Sequence, residues 1–299
     1  MAKILRGLTK DGSAMILVIN STDIVEKAKE YHYTSNTATA ALGRVLTAAS
    51  LMGTTLKEPD DSLTLTFKGD GVGGKILAVS DYKGNVRGLV ENPSADPERR
   101  TDGKLNVAAF VGRGEINVIK DTGEAIPYNG ITEIVSGEIA EDIAAYYANS
   151  EQVPTLCALG VLVNPDSSVK AAGGVMVQLL PFAAEETVSK IEENAKNLSS
   201  VSSLFASGAT NEEIANIALE GIEYEIFDEY EVSYVCTCSH ERFGLALLSL
   251  NPYELWNMLV TDKKIEVNCH FCCKKYTFTG DDIEKYRLLK EKMASEKKD

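Results

Sequence analysis

Four cysteines in the last third of the chain stand in two close pairs. Cys236 and Cys238 form a C-x-C pair, and Cys269 and Cys272 form a C-x2-C pair farther along the chain. Two such pairs on separate turns can supply the four soft ligands that a tetrahedral Zn²⁺ ion prefers. The thiols of each pair are also close enough to form disulfides, and a C-x-C disulfide closes a small, strained ring that is easily reduced again. The spacing therefore predicts a zinc site, and it leaves open whether the site is a plain structural ribbon or a redox switch.

The composition is typical of an intracellular protein with a sizeable core. The chain has 299 residues, of which 44% are hydrophobic, and this length predicts two or three units. The apolar run at residues 14–19 is too short for the core of a signal peptide or for a membrane span. We therefore expect a cytoplasmic protein without a membrane partner. Six cysteines in that setting point to metal or redox chemistry rather than to a disulfide scaffold.

The negative charge of the chain is concentrated in its middle. Residues 181–235 contain 2 Lys+Arg and 12 Asp+Glu, a net charge of −10, whereas the whole chain carries −14. Residues 1–180 carry −5 and residues 236–299 carry +1. Nucleic-acid binding requires Lys and Arg against phosphates, so we expect no nucleic-acid partner.

Residues 1–180 are predicted to form a mixed α/β core domain rich in antiparallel strands, so the expected fold class of the chain is α+β. Helical spacing predicts helices over residues 38–52 and 139–146, with Ser136 as the N-cap of the second. The glycine-rich run at 69–74 leads into a strand rather than a helix, so it is interpreted as a hairpin loop and not as a phosphate-binding loop. Predicted strands lie at residues 63–67, 75–79, 86–90, 105–110, 115–120, 155–163 and 169–180.

This first part contains no constellation of residues that would predict catalysis, so we expect the protein not to be an enzyme. His32 is the one histidine in residues 1–180. Cys157 lies inside an apolar strand, where a lone cysteine is usually a small buried hydrophobe.

Residues 181–235 are predicted to be an acidic, helical linker. Apolar residues at helical spacing over 188–205 predict one amphipathic helix that ends at Gly208, and Thr210 with Glu213 forms a capping box for a second helix. An alternating pattern over 222–234 predicts a strand or an extended arm. An ordinary helical subdomain with a solvated acidic face is one interpretation. The other is a metastable segment that needs a neighbour to stay folded, because its charges repel and its apolar stripe is narrow.

Residues 236–299 are too few to bury a large core, so metal binding is the expected support. The pattern predicts a short helix capped by Asn251 and Pro252, a hairpin over residues 265–278, and a last helix that opens at Thr279. His240 and His270 lie beside the cysteines but are ranked below them as ligands, since four thiols already complete a tetrahedron. Cys273 is a fifth thiol, either a spare ligand or resolving thiol or a plain, partly buried residue.

The sequence resembles the redox-regulated chaperone family of bacteria, the thirty-three-kilodalton heat-shock holdases. The resemblance rests first on residues 236–242 and on 269–272 with Tyr276 and Phe278 behind them. Cys157 and Cys273 are not part of the four-cysteine pattern of that family. Further matching phrases, in order along the chain, lie at residues 42–44, 84–88, 136–142, 150–154 and 172–174.

This resemblance implies a stress-response chaperone that is switched by oxidation. In such a chaperone the reduced chain binds one Zn²⁺ through Cys236, Cys238, Cys269 and Cys272 and is inactive. Oxidation forms the disulfides Cys236–Cys238 and Cys269–Cys272 and releases the zinc. The small domain and the linker then unfold, unfolding client proteins are bound without ATP, and the active form is a homodimer.

The linker offers a candidate surface for such clients, formed by the apolar residues of its two predicted helices. They are Ile191, Leu198, Phe205, Ile214 and Ile217.

Two other classes of function stay open from the residues alone. One is a zinc-ribbon adaptor that binds nucleic acid or protein without a redox role, which a basic, aromatic face would favour. The chain offers only Lys263-Lys264 and Lys274-Lys275 toward such a face. The other is an enzyme that uses the first domain, which would require a pocket with convergent titratable groups.

Overall fold

The computed structural model describes residues 2–296 and divides the chain into two compact units. The first unit ends at Val235 and the second begins at Cys236. Both contain helices and antiparallel sheets, which confirms the predicted α+β class. The division into residues 1–180, 181–235 and 236–299 stays a prediction, because residues 181–235 pack within the first unit in this structure.

The first sheet joins the two ends of the first unit. Its strands are β1 (Ala2–Thr9), β2 (Ala14–Asn20), β8 (Thr155–Val163), β9 (Val169–Leu179) and β10 (Tyr224–Val232). All neighbours are antiparallel, and the order across the sheet is β10-β1-β2-β9-β8. The last strand of the unit is therefore the end strand of this sheet, beside the first strand of the chain.

The second sheet is a five-stranded antiparallel sheet built from the middle of the first unit. Its strands are β3 (Ser62–Gly69), β4 (Lys75–Asp81), β5 (Val86–Val90), β6 (Gly114–Asp121) and β7 (Tyr128–Glu133), in the order β5-β4-β3-β6-β7. Because β3 ends at Gly69 and β4 begins at Lys75, the glycine-rich run between them is a hairpin loop, as predicted.

Four helices and a π-helical turn, Tyr147–Glu151, complete the core domain. The helices are α1 (Thr22–His32), α2 (Asn36–Gly53), α3 (Val107–Val111) and α4 (Ala140–Tyr146). Helix α2 packs against strands of both sheets and is buried on nearly all sides. Its many alanines permit this, since small side chains let neighbouring backbones approach from every direction.

Two local predictions for this domain are wrong. The segment predicted as a strand at 105–110 contains helix α3, because the Asn106 side chain accepts the Ala109 N–H as an N-cap and Gly112 (φ 77°) ends the helix. Ser136 does not cap α4, which begins at Ala140. The buried Asp142 carboxylate instead accepts N–H groups from Val135, Ser136, Gly137 and Ile139 and so fixes the start of that helix.

The acidic segment folds into three short helices followed by β10. The helices are α5 (Glu185–Asn194), α6 (Val201–Ala206) and α7 (Asn211–Ala218). The single helix predicted over 188–205 is interrupted by a 3₁₀ turn at Ala195–Leu198 and by the residues that follow it. The capping box is confirmed, because Thr210 accepts the Glu213 N–H and the Glu213 carboxylate accepts the Thr210 N–H.

These helices cover one face of the first sheet. Their buried side chains pack on Leu5, Ile16, Val18, Val175 and Val177 in one apolar cluster. Gly173 is required beneath this layer, because a Cβ there would lie 2.3 Å from Cε2 of Phe205. The opposite face of the sheet contributes to the larger core around α2.

In the second unit, helices and one hairpin surround a small apolar core. Its elements are α8 (His240–Leu247), α9 (Pro252–Asp262), β11 (Ile265–Asn268), β12 (Lys275–Phe278) and α10 (Gly280–Glu296). The predicted hairpin and the Asn251 cap of α9 are confirmed. Among residues 2–296, no helix combines the length and the apolar character that crossing a membrane requires.

Candidate metal and redox centre

The two cysteine pairs lie in different parts of the second unit. Cys236 and Cys238 precede α8, and Cys269 and Cys272 lie in the turn that joins β11 to β12. The Cys269 N–H donates to the Lys274 carbonyl over 2.9 Å and closes this turn, and the hairpin stays in register from Asn268 and Lys275 onward. A tight turn of this kind holds two thiols on one side, facing a second pair.

The four sulfur atoms converge on one point. All of them lie within 4.8 Å of one another, and the shortest contacts are Cys236 Sγ to Cys269 Sγ at 3.5 Å and Cys238 Sγ to Cys272 Sγ at 3.4 Å. A tetrahedral zinc–thiolate site has Zn–S bonds near 2.3 Å, which place its sulfur atoms about 3.8 Å apart. The observed contacts match such a site and are far longer than a disulfide bond, so the four sulfur atoms of the cluster are thiols. The cluster can therefore hold a metal ion.

The thiols differ in acidity. Burial raises the pKa of Cys238, but hydrogen bonds with the Tyr276 hydroxyl and the neighbouring thiols outweigh it and lower that pKa to about 7. The Tyr276 hydroxyl oxygen lies 3.1 Å from Cys238 Sγ and 3.2 Å from the Cys238 carbonyl oxygen. Burial raises the pKa of Cys236 and of Cys272. Cys238 is thus the most readily ionised of these three thiols, and the thiolate is the form that binds metal and reacts with oxidants.

The other candidate ligands lie outside the cluster. His240 uses both ring nitrogens elsewhere, with Nδ1 at 2.7 Å from the Tyr286 hydroxyl and Nε2 at 3.0 Å from the Thr277 carbonyl oxygen. His270 is exposed. Cys273 is exposed as well, and its backbone lies in the left-handed region with φ 57°. His240 therefore packs in the core of the second unit, beside the cysteine cluster. Its position next to the cysteine pair in the sequence did not predict this packing role.

The family model described as Hsp33 protein matches residues 2–279 of the chain. The chain belongs to the Hsp33 family. It is 46% identical over 289 residues to the 33 kDa chaperonin of Clostridioides difficile, covering 96% of this chain and 98% of that protein. The 33 kDa chaperonin of Alkaliphilus metalliredigens is 42% identical, with 95% and 97% of the two chains covered.

A solved structure agrees with this assignment. The crystal structure of the 33 kDa chaperonin (heat shock protein 33 homolog) of Thermotoga maritima superimposes with a TM-score of 0.88 at 35% sequence identity. The match covers 97% of this chain and 99% of that one. Membership of the Hsp33 family supports a chaperone function for the chain, with a cysteine cluster that is compatible with metal binding and with disulfides.

Cys157 of this Hsp33 chain lies in β8 of the first unit. Burial raises its pKa to about 12, so the thiol is protonated and unreactive at neutral pH.

The residues predicted to bind clients are covered in this thiol form. Ile191, Leu198, Phe205 and Ile214 are buried in the apolar cluster on the first sheet, and Ile217 is partly buried against it. Their role in client binding stays a prediction.

Replacing one cysteine inside the cluster, and one outside it as a control, tests the metal site. We expect Cys269→Ser to lower the Zn²⁺ affinity strongly, because a hydroxyl replaces one of four thiolates that meet within 4.8 Å. The matched control is Cys273→Ser, four residues away and exposed, which should keep one Zn²⁺ per chain. Zinc content of the purified, reduced variants by elemental analysis decides the matter. Stoichiometric zinc in Cys269→Ser would exclude the four-thiolate site.

Proposed function

We propose that the chain is a redox-regulated, ATP-independent holdase that binds unfolding proteins and prevents their aggregation during heat and oxidative stress. In this proposal the reduced form holds one Zn²⁺ and is inactive, and oxidation activates it. The observation that carries the proposal is the contact of four free thiols, two before α8 and two in the β11–β12 turn, at the centre of a small unit.

The second unit has little else to hold it together. Its apolar core consists of a few side chains, and one of its buried members is Cys269 itself. Units of this size are marginally stable unless a metal or a disulfide supports them. A bound Zn²⁺ would contribute its binding free energy to folding, because the thiolates come together only in the folded unit.

Oxidation would break the connection that the sulfur contacts make. The close contacts run across the pairs, from Cys236 to Cys269 and from Cys238 to Cys272. Disulfides formed within the pairs would replace both contacts, so that no sulfur contact would join the segment before α8 to the hairpin turn. Formation of each disulfide removes two electrons and two protons from two thiols. One molecule of hydrogen peroxide accepts them and becomes two water molecules.

The acidic segment would respond next, because its chain runs directly from β10 into Cys236. The segment carries a net charge of −10, and its helices stay docked through a single apolar face. When the second unit unfolds, the residues after β10 no longer lead into a folded unit, and hydrogen bonds to Val86 are among the contacts left to hold this end in place. Repulsion between the carboxylates then opposes redocking. The released segment and the uncovered sheet then both present apolar surface to a client, which includes Ile191, Leu198, Phe205, Ile214 and Ile217.

The remaining parts of the proposal follow from the family resemblance and the charge. The active form would be a homodimer, its partners unfolded or partly unfolded proteins. The net charge of −14 disfavours nucleic acid as a partner. We place the protein in the cytoplasm, where thiols stay reduced until an oxidant appears.

Aggregation of a heat-denatured client tests this function. We expect the reduced, zinc-loaded protein to leave light scattering unchanged and the peroxide-treated protein to suppress it, with release of zinc. Peptide mapping of the same sample should find Cys236–Cys238 and Cys269–Cys272 as the main disulfides, with Cys157 reduced.

The control for this assay is Cys157→Ser, which should be activated like the unchanged chain, whereas Cys269→Ser should not need oxidation, because its site is incomplete. Equal suppression by the reduced and oxidised unchanged protein would contradict redox control. Absence of suppression in both, with zinc retained after peroxide treatment, would favour the zinc-ribbon adaptor.

A charge placed under the acidic segment should activate the protein without oxidation. Leu198 is 1% exposed, and a carboxylate at this position would be buried without a partner, at a cost of about 3–5 kcal/mol. We expect Leu198→Asp to make residues 181–235 sensitive to limited proteolysis and to suppress client aggregation while zinc stays bound. Asn197→Asp adds the same charge at an exposed neighbour and should do neither. A protease-resistant, inactive Leu198→Asp protein would contradict the role of the segment.

A further inference from the structure

Strand β10 is attached to the first sheet along one side only. It pairs antiparallel with β1 from Ala2 opposite Val232 to Thr9 opposite Tyr224, with a bulge beside Arg6 and Gly7. Several of its side chains point to solvent, among them Ile226 and Phe227. An end strand can leave a sheet without breaking the pairing of the other strands.

Strand β1 does not depend on β10 for its own position. Its other side pairs with β2 from Lys3 opposite Asn20 to Leu8 opposite Met15, and its side chains Ile4 and Leu5 are buried on opposite faces of the sheet. If β10 leaves, β1 becomes an ordered edge whose outward backbone N–H and C=O groups have lost their partners. Such an edge is a template for an incoming extended segment.

The face of β10 that meets the larger core follows a simple pattern. Val232 lies opposite Ala2 and is buried, and Tyr230 lies opposite Ile4 and packs against the same core. Two residues earlier, Asp228 lies opposite Arg6. Reading along the strand, this edge therefore accommodates an acidic residue, then an aromatic one and then an aliphatic one at alternate positions.

Of these three positions of β10, the acidic one, Asp228, makes the most specific contact with β1. Arg6 donates from Nε to Asp228 Oδ1 over 2.8 Å and from a second nitrogen to the other carboxylate oxygen. Its guanidinium also lies 5.5 Å from the ring centroid of Tyr230 and 5.6 Å from that of Phe227. A bidentate pair combined with ring contacts gives selectivity that a point charge would not.

Two lysines extend the positive edge on either side of Arg6. Lys3 forms an ion pair with Glu229 at 3.5 Å, and Lys10 forms one with Glu223 at 3.0 Å. These pairs are exposed, so they add attraction for an acidic strand more than they fix it in place.

We propose that the β1 edge, vacated by β10, is a client-binding site that accepts an extended segment of the pattern acidic-x-aromatic-x-aliphatic by strand addition. This proposal rests on the release of residues 181–235 proposed above. The client strand makes the backbone ladder that β10 made, and its acidic side chain takes the place of Asp228 at Arg6. The site selects extended chains, since an added strand must present a row of unpaired backbone N–H and C=O groups to β1.

Competition between client and β10 follows from this arrangement. Both use the same backbone groups of β1, so an intact β10 excludes the client. After reduction and refolding of the second unit, β10 competes for its place from within the same chain, at high effective concentration. The client is then displaced by the chain itself, without an external energy source.

A labelled peptide with the sequence YEIFDEYEV, which is that of residues 224–232, tests the site in the full-length protein. We expect fluorescence anisotropy to show binding to the oxidised protein and none to the reduced one. Arg6→Glu should weaken binding about tenfold, and a peptide with Lys at the position of Asp228 should recover most of that loss on this variant. Arg113→Glu, which changes an exposed arginine just before β6, should leave the affinity unchanged.

Backbone methylation distinguishes strand addition from apolar adhesion. Two peptides, one N-methylated at residues 228, 230 and 232 and the other at 229 and 231, block opposite edges of the added strand. One of them should lose binding and the other should keep it. Equal affinities of the two, or no effect of Arg6→Glu, would overturn the proposal.

Two further outcomes separate this proposal from the function on which it rests. An oxidised protein that suppresses aggregation but does not bind the peptide would overturn the β1 site and leave the holdase function standing. One that does neither would overturn both. Peptide affinity that falls as the protein concentration rises would assign the edge to β10 of a second copy and would likewise overturn client binding there.

Discussion

In the mechanism that we propose, the contact of four thiols within the second unit is the interaction on which the other steps depend. It joins the segment before α8 to the turn of the β11–β12 hairpin. Around it, Tyr276 contacts Cys238, and His240 bridges Tyr286 and Thr277, so the polar groups next to the cluster are partnered within the same unit. In the proposed mechanism, a change in the bonding of the sulfur atoms therefore acts on the core of the unit.

In the first unit, apolar packing and charge repulsion oppose each other. Its acidic segment is docked by apolar side chains on the first sheet while its carboxylates repel one another on the outer side. Helices of six to ten residues are marginal by themselves, so their stability comes from this docking. A segment held in this way is suited to local release, since the core around α2 has its own packing and does not require it.

Much of the site could be predicted from the sequence, because it is local. The two thiols of each pair, Cys236 with Cys238 and Cys269 with Cys272, are close in the sequence, and capping residues such as Thr210 mark helix starts within a few positions. The errors were also local: in α3 and at the start of α4, one capping side chain outweighed the propensity of the whole segment. The pairing of β10 with β1 was not predictable, because nothing near either strand specifies a partner more than 200 residues away.

Hydrogen exchange of the reduced and oxidised protein tests the central claim most directly. If the thiol contacts support the second unit, and that unit anchors the acidic segment, oxidation will remove protection from the amides of residues 181–296 and preserve it in α2 and in the second sheet. Loss of protection should extend to the N–H groups of β1 that face β10, but not to those that face β2. Unchanged protection of residues 181–235 in protein that suppresses aggregation would contradict the account.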